Sequence, residues 1–200
     1  MAFKAFRIKQ VDGAIEAGFE QLEINDLSAG EVVVRVQYSG INYKDALAAT
    51  GKGRITRVPA VNGGVDLVGV VDSSTDERFH GGDAVLVCGA GLSETLDGGY
   101  SEFARVPGDA VVPLPPGLTA WEAGALGTAG FTAALAMMRM EDNHQDPALG
   151  PIVVTGATGG VGSFAIDMLA AKGFEVLAFT GKPEQHDYLR TLGASDFIDR

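Results

Sequence analysis

Cysteine is almost missing from this 200-residue chain. Cys88 stands alone, which excludes an intrachain disulfide framework and any centre built from several thiolates. Histidine is scarce as well: His80, His144 and His186 are scattered and, with one cysteine, supply no set of ligands of the number zinc requires. Basic residues are the minority, 15 Lys and Arg against 26 Asp and Glu, giving a formal net charge of -11. A chain of that sign lacks the general basic field that holds nucleic acid or an anionic membrane, leaving only local basic spots for a small phosphorylated ligand. No apolar run approaches the ~18–20 residues of a membrane-spanning helix. The opening MAFKAFRIKQ alternates charged and apolar side chains too quickly for a signal-peptide core. The expectation is a soluble, cytoplasmic protein with no metal and no nucleic-acid or membrane partner.

What is present is glycine and apolar residues. Twenty-eight glycines exceed the ~7% base rate without any collagen-like period, so they mark turns and close backbone approaches. A hydrophobic fraction of 46% beside 20% charged residues is enough to bury a core. Up to about residue 118 the chain reads as short strands over 3–8, 31–38, 68–71, 83–87, 100–106 and 111–114, with turn residues at 11–13, 25–30, 72–76 and 89–99. That pattern predicts an all-β barrel-like or sandwich domain. Pro113, Pro115 and Pro116 mark a boundary. Beyond it come a short helix over 119–124, capped by Thr119 with Glu122 three residues on, and a largely buried helix over 128–140. Met137, Met138 and Met140 fill core gaps there. A polar loop over 141–150 leads to a strand (152–155), helix (160–172), strand (175–180), helix (184–192) and strand (196–198). This βαβαβ series is the first half of a doubly wound parallel sheet, and a domain holding only that half is incomplete.

The strongest local signal is Val153-Val154-Thr155-Gly156-Ala157-Thr158-Gly159-Gly160-Val161-Gly162. A buried strand runs into a glycine-rich turn and then a helix, the context in which dinucleotides are bound. Glycines 156, 159 and 162 allow a tight turn, a close approach to pyrophosphate and helix–strand packing. The spacing is G-x-x-G-x-x-G, one residue off the strict fingerprint. The second strand ends Ala178-Phe179-Thr180-Gly181-Lys182 without the acid that accepts from an NAD ribose. A hydroxyl, a glycine and a lysine suit the 2′-phosphate of NADPH instead. The remaining candidates read as structural: His80 as a loop residue, His186 as a surface residue of the last helix, and Cys88 as a small hydrophobe at a strand end.

A β-rich domain followed by a zinc-free dinucleotide unit resembles the medium-chain dehydrogenase/reductase superfamily. The segments SGINYKDAL (39–47), GKG (51–53), GVDLVG (64–69), RFHGGD (78–83) and GTAGFTA (127–133) resemble its YhdH/YhfP quinone-oxidoreductase-like group, which includes the acrylyl-CoA reductases called AcuI. Zinc-dependent relatives carry Cys where Ser39–Asn42 runs and Gly-His-Glu where this chain has Gly64-Val65-Asp66. The resemblance implies a GroES-like substrate and catalytic domain over 1–118, then the first part of an NADPH-binding Rossmann domain over 119–200. It also implies a homodimer for the full-length protein. By the same resemblance Tyr43 lies beside the nicotinamide, and Thr158, Gly159, Gly160 and Val161 wrap the pyrophosphate. Thr180, Gly181 and Lys182 hold the 2′-phosphate, and Arg200 adds a further phosphate contact. Asn42, Asp45 and Thr128 surround the reacting centre, and Asp66 either braces the pocket or stabilises a turn. The implied activity is hydride transfer from NADPH to the double bond of a short enoyl-CoA such as acrylyl-CoA, with Tyr43 or water supplying the proton. The alternatives are an NADPH:quinone or general enone reductase and, further off, a catalytically idle NADPH-binding protein.

Overall fold

The computed structural model describes residues 2–199. Its contacts divide into two compact units, residues 1–128 and 129–200.

The first unit is a pair of antiparallel sheets. β1 (Phe3–Val11) and β2 (Ala14–Leu22) form a hairpin whose two turn residues, Asp12 and Gly13, both have positive φ (49° and 82°). That is the primed turn whose twist matches the flanking strands. β4 (Ala60–Asn62) adds to the other side of β1. The larger sheet has the order β7-β3-β5-β6-β8, from β3 (Val32–Tyr38), β5 (Asp66–Ser74), β6 (Ala84–Cys88), β7 (Phe103–Val106) and β8 (Val112–Pro113). Alternate residues of these strands point inward, so Val32, Val34, Leu67, Val71, Val85, Val87, Ala104 and Val106 close one core. A second cluster of Ile8, Ala48 and Val61 seats helix α1 (Tyr43–Thr50).

Four elements depart from the expectations. The hairpin strand β2 and the short β4 were not among the expected strands; AIEAGFEQL has the composition of a helix and only one of its side chains is buried. Helix α1 also went unread, although Asn42 with an acid three residues on is a helix-start signal. β5 runs to Ser74, through the residues expected as a turn.

Helix α2 (Ala120–Asp142) is two helical stretches parted at Gly127, in keeping with the two helices expected over 119–124 and 128–140. The Gly127 backbone (φ 44°, ψ -152°) is a conformation open to glycine and hardly any other residue. The capping expectation holds: the Glu122 carboxylate accepts from the Thr119 N–H (2.8 Å) and hydroxyl (2.7 Å), and the Glu122 N–H donates to Thr119 Oγ1 (3.2 Å). The burial expectation for the later part is corrected. Met137 and Met140 pack against the core, whereas Phe131, Leu135 and Met138 are exposed. Residues 119–128 pack with the first unit, Gly124 lying against Tyr38.

In the second unit β9 (Ile152–Thr155), β10 (Val176–Phe179) and β11 (Asp196–Ile198) form a parallel sheet of order β11-β10-β9, with α3 (Gly160–Ala171) and α4 (His186–Thr191) as the crossovers. This is the 3-2-1 half of a doubly wound sheet. Val154, Ile166, Leu169, Val176, Ala178 and Leu189 form its core. No described helix is long and apolar enough to cross a membrane.

Candidate functional site

Two constellations carry the candidate residues, one in each unit. In the second unit a cleft of about 660 Å³ opens at the carboxyl ends of β9 and β10, lined by Thr155–Gly159 and Phe179–Lys182. That is where open α/β sheets bind ligands. Its wall is set by glycines for separate reasons. Gly156 has φ +60°. A Cβ on Gly162 would lie 2.3 Å from the Gly156 carbonyl oxygen, and one on Gly159 would lie 3.2 Å from the same atom. The glycine spacing thus lets α3 begin directly under the turn. The Gly159 N–H closes the turn onto Gly156 O (2.9 Å), and its own carbonyl accepts from Ser163 (2.8 Å). The N–H groups of the first helical turn, Gly160 and Val161 among them, have no intrahelical acceptor and carry the positive end of the helix dipole. Val161 is exposed.

Across the cleft, Thr180 is buried; its N–H donates to Ile198 O (3.1 Å) and its Oγ1 accepts from the Lys182 N–H (3.2 Å). The hydroxyl therefore pins the Thr180–Lys182 turn. The Lys182 side chain is exposed and has no ion-pair partner among the described residues. These features fit a dinucleotide: a cradle that a single Cβ would fill, unpaired helix-start donors and a free cation at the strand tip. Arg200 lies outside the described residues.

In the first unit the centre is Asp66, 2% exposed. One carboxylate oxygen accepts from Asn42 Nδ2 (2.8 Å), and the Thr128 N–H approaches both oxygens at 3.1 Å. The Thr128 hydroxyl donates to Oδ1 (2.5 Å), and the backbone carbonyl of Asp66 accepts from Ser39 Oγ (2.6 Å). A carboxylate on β5 thereby ties the 39–42 loop to the broken turn of α2. Asp45, also buried, accepts from the Asn42 N–H (2.8 Å) and the Val65 N–H (3.0 Å), which fixes the start of α1. Asp45 is therefore a positioning group, and one donor of Asn42 is committed to Asp66. Tyr43, the first residue of α1, is 80% exposed.

Sequence reasoning missed two neighbours. The Tyr100 hydroxyl donates to Gly40 O (3.1 Å); burial, then the nearby Asp45 and Asp66 carboxylates, raise its pKa well above the ordinary phenol range. Cys88 ends β6 opposite Asp66, and its thiol is pushed up to about 12 by burial and then by the Asp66 charge and hydrogen bond. It is the cross-strand neighbour of the same carboxylate. No local motif marks either: strand register brings Cys88 to Asp66, and the loop before β7 brings Tyr100 to Gly40. His80 is an exposed loop residue whose N–H donates to Asp83 (2.7 Å). His186 is corrected from surface to half-buried, its ring stacked on Phe197 at 3.8 Å. Among the described residues no group of three or more His, Cys, Asp or Glu is arranged to hold a metal ion.

Comparison with known proteins gives the same picture. The model for the alcohol dehydrogenase GroES-like domain matches residues 28–116. The acrylyl-CoA reductase AcuI of Ruegeria pomeroyi is 49% identical over 189 residues, 94% of this chain and 57% of that protein. The putative quinone oxidoreductase YhfP of Bacillus subtilis is 46% identical over 198 residues, 99% of this chain and 60% of that one. Its crystal structure with NAD bound superposes with a TM-score of 0.95 at 45% identity, over 100% of this chain and 60% of the other. The yhdH oxidoreductase of Salmonella enterica in complex with NADP gives 0.94 at 47% identity, covering 98% of this chain and 61% of the other. The chain thus spans about 60% of the length of the relatives it matches.

Proposed function

We propose, for a chain that belongs to the medium-chain dehydrogenase/reductase superfamily and within it to the YhdH/YhfP quinone-oxidoreductase-like group, that its protein uses NADPH to reduce the double bond of a short enoyl-CoA such as acrylyl-CoA. Residues 1–118 serve as the substrate and catalytic domain and 119–200 as the first part of the cofactor domain. The complete protein is then a cytoplasmic homodimer. The observation that carries the reading is the β9/β10 cleft with Thr180, Gly181 and the unpaired Lys182 at its tip and no acid there.

Thr158, Gly159, Gly160 and Val161 would hold the pyrophosphate on backbone donors, with Thr180, Gly181, Lys182 and Arg200 around the 2′-phosphate. NADPH, when bound, supplies the hydride. What remains for the protein is alignment, a donor for the negative charge that develops on the thioester oxygen, and a proton for the α-carbon. The thioester carbonyl delocalises that charge, so alignment and donors suffice. Tyr43 is the candidate for the proton: its phenol is exposed at the start of a helix that Asp45 fixes. Asn42 and Thr128 keep their positions through Asp66.

The second reading, quinone reduction, is supported by the 46% identity to YhfP. The test is the absorbance of reduced nicotinamide, followed with the complete protein against acrylyl-CoA and a benzoquinone in parallel. Saturable turnover of the thioester supports the enoyl reductase. Turnover of the quinone alone moves the second reading ahead, and NADPH binding without turnover of either supports the idle binding protein.

A further inference from the structure

A coenzyme A thioester is a polyanion, and this chain carries a net charge of -11, so the enoyl-CoA reading demands a local cationic surface. The first unit has one. Lys44, Lys52, Arg54 and Arg57 place four of the fifteen basic residues within positions 44–57, where Asp45 is the lone acid. Asp45 is buried and its oxygens accept from backbone N–H groups, so it forms no ion pair with these cations.

The segment is presented in a fixed way. α1 ends at Gly51 (φ 67°), and the chain turns there against Ile15. Ile55 and Val58 then pack against the Ile8–Ala48–Val61 cluster, and the Arg57 N–H donates to Glu94 O (2.8 Å). With 55 and 58 turned inward, Lys52, Arg54 and Arg57 are exposed. Glu94 pairs with Lys44 and, at 3.5 Å, with Arg57, which compensates part of the charge and anchors both ends of the segment. Lys52 and Arg54 have no acidic partner among the described residues. They sit past the far end of the 8-residue helix that begins at Tyr43, a length of ~12 Å. Phosphates seated there leave the extended pantetheine arm to run back along α1 to Tyr43.

We infer that the 52–57 segment, through Lys52 and Arg54, is the docking site for the phosphate groups of the coenzyme A portion of the substrate. The inference rests on the enoyl-CoA reading and adds where its nucleotide is held.

The experiment uses the complete protein and the double variant K52A/R54A, with R139A/K172A as a charge-matched control on the other unit. Coenzyme A alone is titrated into each by calorimetry, and steady-state kinetics are measured with acrylyl-CoA and with acrylyl-pantetheine. The expected result is a rise of roughly tenfold in the coenzyme A Kd and the acrylyl-CoA KM for K52A/R54A, the scale of lost charge-assisted contacts. The KM values for acrylyl-pantetheine and NADPH stay where they are, and the control behaves as wild type. Equal coenzyme A affinity in wild type and K52A/R54A, or no affinity in wild type, overturns the docking site. So does a parallel loss for both thioesters or for NADPH. Failure of wild type to reduce either thioester overturns the enoyl-CoA reading instead, a result the calorimetric titration does not depend on.

Discussion

The two candidate constellations are built from opposite materials. The β9/β10 cleft is shaped by backbone: glycines without room for a Cβ, helix-start N–H groups and a single free lysine. The Asp66 cluster is shaped by side chains, with one buried carboxylate collecting donors from the 39–42 loop and the α2 break. Backbone constellations are local and tolerate exposure. Side-chain constellations join distant segments, and their buried polar groups are costly to leave unpaired. The first kind should fail in ligand affinity when altered, the second in folding.

The comparison is tested hardest at Asp66. Asp66→Ala strands the Thr128 N–H and hydroxyl and the Asn42 amide, so a loss of about 3 kcal/mol or more is expected, or roughly 6–12 °C in Tm. Asp66→Asn, which retains an acceptor, should lose less. A change below about 1 kcal/mol in denaturant unfolding of the alanine variant would remove Asp66 from its central place. Next is Gly162→Ala, whose Cβ meets backbone at 2.3 Å. It should cost about 1–3 kcal/mol and weaken dinucleotide binding at least tenfold, with Gly159→Ala milder in both. A binding titration in which Gly159→Ala proves worse would reverse the assigned roles.

Tyr43→Phe sharpens the contrast from within the first unit, because an exposed residue should leave stability within ~0.5 kcal/mol. Turnover should fall roughly tenfold or more if the phenol relays the proton; unchanged kcat takes it out of the chemistry. Lys182→Ala should raise the NADPH Kd by up to about tenfold and spare NADH. Equal losses for the two cofactors would sink the 2′-phosphate assignment.

The smallest effect concerns Cys88. Its thiol is pushed up from 9.0 to about 12 in the fold. The unfolded chain therefore releases this proton first, and stability falls as pH rises from about 9 toward about 12. Cys88→Ala should flatten the alkaline limb of a stability–pH profile, leaving the same-sign contribution of Tyr100 in place. An unaltered limb would mean that the fold does not raise the thiol.

The same division explains what was legible in the sequence. The βαβαβ series, its glycine turn and the Thr119–Glu122 cap are written in contiguous residues, so period and spacing expose them. The β2 strand was hidden because its pairing with β1 is dictated by the Asp12–Gly13 turn, while its own side chains are mostly exposed. Tyr100 and Cys88 were hidden for another reason. Each acquires meaning only in the folded unit, Cys88 through its register with Asp66 and Tyr100 through the loop that brings it to Gly40, and no spacing within the chain encodes that. The break between the two expected helices was legible too: it falls at Gly127, where the backbone is non-helical and Asp66 holds the next residue.

That break has a consequence for how the protein can evolve. A Cβ at position 127 would lie 2.7 Å from an Asp66 oxygen, so positions 66 and 127 share one volume and a change at either is constrained by the other. A descendant that acquires a side chain at 127 must both clear the acid at 66 and leave the backbone conformation that glycine alone adopts readily. One that lengthens residue 66 to Glu finds its path closed unless the helix break moves. Drift at either position is narrowed by the other.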